Sequence, residues 1–288
     1  MIWFVSNMSI KRKRMFLYTS LQSSLFQKQN ICFALTNRFD GASTGAFNEL
    51  NLGHYVGDTL QNLTYNYRIV ATRFYDEFHI KQNHRKPIYY MEQFHSTCSI
   101  MLDNTLESSF LLEQSLMAKE LKNKQDSVCV GRADAIITRL PYRICLVVVA
   151  DCNPLLLYDT KHHAMAVIHA GRRGIFDRIL PQTFAKMTTL YGTKAEECLL
   201  YVGASIRSCC YEVGQEVRDE LLRLGFESSA MKGNKLDLIH CIHAQCENIG
   251  IKQEHIEISP HCSCCNDNLY SYRRDGITGR FGLLAMLV

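Results

Sequence analysis

The sequence predicts an α+β protein with a mixed β-sheet core and helices outside, and three observations carry that prediction. Apolar, β-branched runs of strand length recur along the chain, segments of helical period lie between them, and some neighbouring runs are close enough to form hairpins. The first strand is expected in "MFLYTSL" from Met15, and the next in "NICFALTN". Leu60, Leu63, Tyr67 and Val70 then repeat at helical spacing after a cap-like pair, Asp58 and Gln61. "KPIYYMEQF", "YRICLVVVA", "NPLLLYD", "AMAVIHA", "ECLLYVGASI" and "HIEIS" follow as strands. Two further helices are marked by Val213, Val217, Leu221 and Leu224, and by Leu238, Ile242, Cys246 and Ile249. Residues 101–130, polar and spotted with leucine, read as a helical insertion or mobile loop.

A chain of 288 residues with 47% hydrophobic content has ample material for a buried core. No repeat, low-complexity tract or Pro/Gly/Ser linker divides it, so the expected layout is an N-terminal extension at 1–14 and a single domain at 15–288. Met15 is an alternative start, and the KRKR run at 11–14 reads as a solvated tail. No run approaches the roughly 18 apolar residues of a membrane span, and the apolar start precedes the basic cluster, the reverse of a secretory signal. The reading is cytoplasmic. The 13 cysteines, an odd number without an export signal, are expected as reduced thiols. A net charge of +4 spread along the chain does not argue for a nucleic-acid partner.

The stretch "ADCNPLLLYDTKHHAMAVIHAG" brackets a hairpin with two good metal ligands. A two-residue loop at Thr160 and Lys161 pairs Cys152 directly with His169, with Cβ atoms roughly 4.5–5.5 Å apart, within reach of one ion. Pro154 suggests a bulge or an edge beside the cysteine. Cysteine and strand-end histidine are also ordinary core residues, so the pair alone does not define a site. A third ligand shifts the balance towards one. His95 in "YYMEQFHSTC" is the best candidate because it follows an apolar run. Two histidines and a cysteine leave a fourth position on zinc for water or substrate.

Other motifs carry less. "HIEISPHCSCC" imitates the zinc deaminase signature, but only four residues separate Glu257 from Cys262. A metal knot at Cys262, Cys264 and Cys265 lacks a second CxxC or a spaced His pair. His162 and His163 fall at the hairpin turn and are expected to be exposed. A multicopper oxidase needs several His-x-His pairs, and the chain has none. There is no GxGxxG, P-loop or G-x-S-x-G elbow.

From about Met15 to the C-terminus, "TNRFDGASTGAFNELNLGHYVGD", "QFHS", "ADCNPLLLYD", "VIHAGRRG", "SCCYEVGQEV", "LDL" and "YSYRRDGITGR" occur in order. In these motifs the chain resembles the proteins once called multicopper polyphenol oxidoreductases, or laccase-like, and now described as purine nucleoside phosphorylases with adenosine deaminase activity. The resemblance implies a layered α/β/β/α fold, a single catalytic domain, and zinc rather than copper held by His95, Cys152 and His169. It also implies purine nucleosides and phosphate as partners: adenosine, inosine, guanosine or methylthioadenosine. Three departures bear on substrate preference. Arg172 replaces the family's tryptophan in H-A-G-W-R-G, Tyr55 stands at a histidine position with His54 one place earlier, and "GASI" replaces G-P-x-I.

Phosphorolysis needs cations for phosphate, and the planar donor forks of Arg38 and Arg173 are candidates. Ser43 and Asn51 are candidates for neutral hydrogen bonds to ribose or base. Arg273 and Arg274 either reach the pocket or, paired with Asp275, serve structure. One rival keeps the residues and drops the metal: Cys152 as a thiolate nucleophile activated by His169 in an amide hydrolase, for example on peptidoglycan precursors. A non-enzymatic metal- or nucleotide-binding module is a second rival, and a copper polyphenol oxidase ranks last.

Overall fold

The computed structural model describes residues 15–109 and 126–288. Residues 1–14, read as an extension, lie outside the described residues, as does part of the 101–130 segment. The described residues form two six-stranded mixed sheets. The first runs in the order β1 (Phe16–Thr19), β2 (Ile31–Thr36), β14 (Phe281–Leu287), β7 (Ile144–Val149), β3 (Ile88–Glu92) and β5 (Ser127–Arg132). The second runs β13 (Ile256–Ile258), β10 (Cys198–Val202), β8 (Asn153–Asp159), β9 (Ala164–Ala170), β6 (Ala135–Thr138) and β4 (Ser99–Leu102). A two-stranded ribbon, β11 (Met231–Lys232) with β12 (Lys235–Leu236), lies apart.

The central strands are apolar throughout because both of their faces are buried. In β7, Cys145, Val147 and Val149 join the core between the sheets, while Ile144 and Leu146 pack on the helix Leu60–Glu77 side. In β8, Leu156 and Tyr158 face the other sheet, while Leu155 and Leu157 join Leu180, Leu221 and Ile242 under the outer helices. Helix, sheet, sheet and helix thus form four layers, and the α+β, layered α/β/β/α reading holds.

Local chemistry accounts for the helix ends. Thr59 caps the first helix, its hydroxyl accepting from the Asn62 N–H at 3.2 Å, so the cap is Thr59 rather than the Asp58/Gln61 pair. Asp58 instead accepts from Thr59 N at 2.7 Å and from Asn62 Nδ2 at 2.9 Å. Asp237 caps Leu238–Ile249, which ends at Gly250 in the left-handed region (φ 93°). The helix Ile179–Tyr191 and the C-terminal strand β14 were not anticipated. Strands begin and end the 101–130 segment, and of the helical insertion or loop expected there, 104–109 are helical.

The hairpin differs from expectation in its turn. Asp159 Oδ1 accepts from the N–H groups of Lys161 and His162, closing a four-residue turn at 160–163. His169 therefore opposes Pro154, and Cys152 lies just ahead of β8. The shift is two residues, so the parity of faces survives although the direct pairing does not. Pro154 marks neither a bulge nor an edge: β8 is interior, and its ladder with β10 stops at Leu155, so no N–H is required there.

Candidate active site

Two loops and the end of a strand bring the predicted ligands together. His95 follows β3 in a left-handed conformation (φ 63°), Cys152 precedes β8 behind Asp151 (φ 89°), and His169 lies near the end of β9. One ligand atom from each lies within 4.8 Å of the others. Cys152 Sγ is 3.8 Å from His95 Nε2, and the two imidazole rings stand 4.8 Å apart at 75°. His95, Cys152 and His169 are thus the predicted residues that the fold assembles.

Asp134, which sequence reasoning missed, organises the centre. It is fully buried just before β6, and its carboxylate accepts from His169 Nδ1 (2.8 Å), His95 N (3.1 Å), Ser96 N (2.6 Å) and Ser96 Oγ (2.7 Å). With Nδ1 committed to Asp134, His169 offers Nε2 to the centre. Burial pushes the Asp134 carboxyl up, but the bonds from His169 and Ser96 outweigh it and hold the group below its ordinary range. No local sequence signal marks Asp134 beyond an acidic residue abutting an apolar strand.

Gly171 is the second omission. A Cβ there would lie 2.9 Å from both Cys152 Sγ and His95 Cδ2. Gly171→Ala should cost about 1–3 kcal/mol through overpacking and force the centre apart. Denaturant unfolding and turnover check this: a folded protein with much reduced activity is expected, and wild-type activity would show that the centre tolerates displacement.

Burial raises the Cys152 thiol, but the His169 charge and hydrogen bonds from His169 and His95 overcome it, lowering the pKa from 9.0 to about 6. His169 is correspondingly raised to about 9, against burial, by Cys152 and Asp134. In metal-free protein a thiolate–imidazolium pair therefore spans about pH 6 to about pH 9. Iodoacetamide labelling of Cys152 in chelator-treated protein should rise with a midpoint near pH 6. A midpoint near the ordinary thiol value would contradict the pairing.

The centre opens on a cavity of about 570 Å³. Its lining is mainly apolar and aromatic, with His54, Tyr55, Tyr90 and Tyr211 around two cations, Arg273 and Arg280. His54 stacks on Tyr90 (4.3 Å, 7°), burial keeps it neutral by lowering its pKa, and its buried Nε2 has no hydrogen-bond partner among the described residues. Arg173 lines a smaller adjoining recess with His95, Cys152, Arg172 and Tyr211. Arg172 is held by Glu220 at 2.6 Å.

Of the remaining candidates, Arg38, Ser43, Asn51 and Arg274 fall outside the cavity lining. Arg38 donates to Asn48 O (2.8 Å) and stacks over Tyr270. Ser43 and Asn51 are buried and both donate to Asp58, while Asn51 Oδ1 accepts the Arg280 N–H at 2.8 Å and so positions a cavity residue. Arg274 pairs with Asp275 at 2.8 Å, the structural alternative, whereas Arg273 reaches the cavity. His162 and His163 are half-buried rather than exposed, bonded to Asp159 and Tyr158. Glu257 accepts from Ser23 Oγ, away from any deaminase-like arrangement.

Fold and site together define a two-sheet α+β protein with a His–Cys–His centre at the mouth of an aromatic cavity. The chain belongs to the family described as multi-copper polyphenol oxidoreductase laccase, whose model matches residues 32–288. Among curated relatives, a purine nucleoside phosphorylase of Bacteroides thetaiotaomicron is 29% identical over 275 residues, covering 93% of each chain. One of Corynebacterium glutamicum is 31% identical over 248 residues, covering 85% of this chain and 89% of its own. Among solved structures, a Neisseria meningitidis protein aligns with a TM-score of 0.68 at 28% identity, covering 90% of this chain and 94% of its own. The hypothetical protein YfiH of Bacillus licheniformis aligns with a TM-score of 0.75 at 23% identity, covering 93% and 98%, a likeness of fold. Among the described residues, no helix is long and apolar enough to cross a membrane.

Proposed function

We propose that this chain is a zinc-dependent purine nucleoside phosphorylase with adenosine deaminase activity, working in the cytoplasm. The observation that carries the reading is the convergence of His95, Cys152 and His169 at the mouth of a cavity with aromatic walls and two arginines. Its support from relatives is their naming as purine nucleoside phosphorylases.

The donor set fits zinc: two imidazoles and a thiol already inclined to ionise, one imidazole fixed by a buried carboxylate, and an open side facing the cavity. Zinc held there would supply Lewis acidity, acidifying a water for removal of the adenine amino group. Copper, which the family description names, is distinguished from zinc by metal analysis.

The chain's own residues account for the rest. Tyr90 and His54, stacked on one another in the lining, offer an aromatic face for a purine. Arg273 and Arg280 face the cavity and suit an anionic phosphate, with Arg173 beside the centre as a third cation. In phosphorolysis a phosphate oxygen bonds to C1′ as the C1′–N9 bond breaks, and the electron pair leaves with the base, which takes up the proton that hydrogen phosphate gives up. Products are free purine and ribose 1-phosphate. Asn51 acts at one remove, holding the Arg280 backbone.

The low Cys152 pKa also favours a Cys–His amide hydrolase as a second reading. A panel of adenosine, inosine, guanosine and methylthioadenosine, each with and without phosphate, separates the two. Phosphate-dependent base release supports the phosphorylase. Full amidase activity in metal-free protein, lost on alkylation of Cys152, overturns it.

A further inference from the structure

A second cluster of metal-ligating side chains lies outside the cavity lining. The sequence suggests a knot of Cys262, Cys264 and Cys265, but the fold leaves Cys264 out and brings in Cys209 and Cys210 from the loop after β10. The four sulfurs of Cys209, Cys210, Cys262 and Cys265 all lie within 4.8 Å of one another. Cys265 is 3.2 Å from Cys210 and 3.6 Å from Cys209. Tetrahedral zinc with bonds of about 2.3 Å requires sulfurs about 3.8 Å apart, close to what is seen. A disulfide requires about 2.05 Å, which neither pair meets.

We propose that Cys209, Cys210, Cys262 and Cys265 bind one zinc ion as a closed tetrathiolate site, distinct from the His95–Cys152–His169 centre.

Two turns present the sulfurs. Cys210 N and Tyr211 N both donate to Arg207 O, and this turn points adjacent cysteines at one spot. The Cys262-x-x-Cys265 turn is closed by Asn266 N donating to Cys262 O at 3.1 Å, and the N–H groups of Arg207, Cys264 and Cys265 are directed at Cys262. Backbone N–H groups around a sulfur are the setting a metal thiolate needs, since they spread its charge.

Charge argues the same way. Four thiols this close cannot all ionise without a cation among them. A divalent ion removes that conflict, each thiol giving its proton to solvent, and leaves a dianionic site. Cations stand near to balance it: Arg207 bonds Gly203 O and Ser259 O, Lys235 Nζ donates to Cys209 O at 2.8 Å, and Arg274 Nη1 donates to the carbonyls of Ser263 and Cys264. No carboxylate belongs to the cluster, so its chemistry selects a thiophilic metal over calcium or magnesium.

The site has a structural purpose. Cys262 bridges Ser205, and Ser263 Oγ donates to Asp151 at 2.6 Å, next to Cys152. Arg273 N donates to the other Asp151 oxygen at 2.7 Å. The metal therefore pins the two loops that position Asp151 and carry Tyr211 and Arg273 into the cavity.

The test uses full-length Cys152→Ala protein, which has no thiol in the other centre, reconstituted with cobalt(II) under reducing conditions. Intense thiolate-to-cobalt charge-transfer bands with tetrahedral d–d absorption are expected, and their absence overturns the proposal. Adding Cys209→Ser and Cys265→Ser should abolish these bands, and bands that persist overturn the assignment. In wild-type protein purified without reductant, mass spectrometry should show the four cysteines as free thiols after metal removal, whereas disulfides among them would mark a redox pair instead. None of these readouts involves nucleoside turnover, so the site stands or falls separately from the proposed activity.

Discussion

Replacing Cys152 by alanine is expected to lower nucleoside turnover by roughly 10³-fold or more while the protein remains folded. The thiol lies ahead of β8 rather than within its ladder, so its loss breaks no backbone pairing. What it removes is the single anionic donor of the centre, the group that holds His169 protonated in metal-free protein and would neutralise zinc in the loaded enzyme. His95→Ala and His169→Ala should follow, though through different routes. His95 sits on a loop and is lost cleanly, whereas His169 is 4% exposed and its removal also leaves Asp134 a buried, unpaired charge. Steady-state kinetics with circular dichroism check the set. A variant with unchanged rate removes that residue from the mechanism.

Asp134 carries the second large effect. Asp134→Ala deletes an acceptor that five donors share, and should destabilise the fold by about 3–5 kcal/mol. Asp134→Asn separates stability from chemistry. The amide keeps the size, but an amide N–H placed against His169 makes Nδ1 the acceptor, moving the ring proton to Nε2 and blocking its lone pair. The Asn variant should be folded yet lose about 10- to 100-fold in metal affinity or activity. The sign with pH is fixed by the lowered carboxyl. Its contribution is complete above the ordinary Asp value of 3.8 and is lost as pH falls through the folded value. Acid unfolding of Asp134→Asn should therefore lack that part of the pH dependence. A fully active Asn variant would show that Asp134 does not orient His169.

Much of this was legible in the residues. Strands such as "YRICLVVVA" and "AMAVIHA" announce themselves because they are buried on both faces, and α+β followed from their alternation with helical segments. The three side chains that the fold brings together, His95, Cys152 and His169, were legible as candidates from residue type and position at strand ends. The pairing of Cys152 with His169 failed at the turn, where a single Asp159 side chain captures two N–H groups and lengthens the loop by two residues. Asp134, Gly171 and the Cys209–Cys265 contact were not legible because each acts across the fold, and spacing reports only neighbours along the chain. Among the substrate candidates, Ser43 and Asn51 show how a polar loop misleads: they satisfy Asp58 and brace Arg280 instead of facing the cavity. Arg273, which does face it, reads from the sequence as either a pocket or a structural residue, and Arg280 was missed because it sits where an arginine looks like any surface cation.

The central claim, that zinc is held between His95, Cys152 and His169, is tested most directly by anomalous scattering. Crystals of active protein measured above and below the zinc absorption edge should show a difference peak bonded to all three side chains. An active crystal with no peak there would contradict the account.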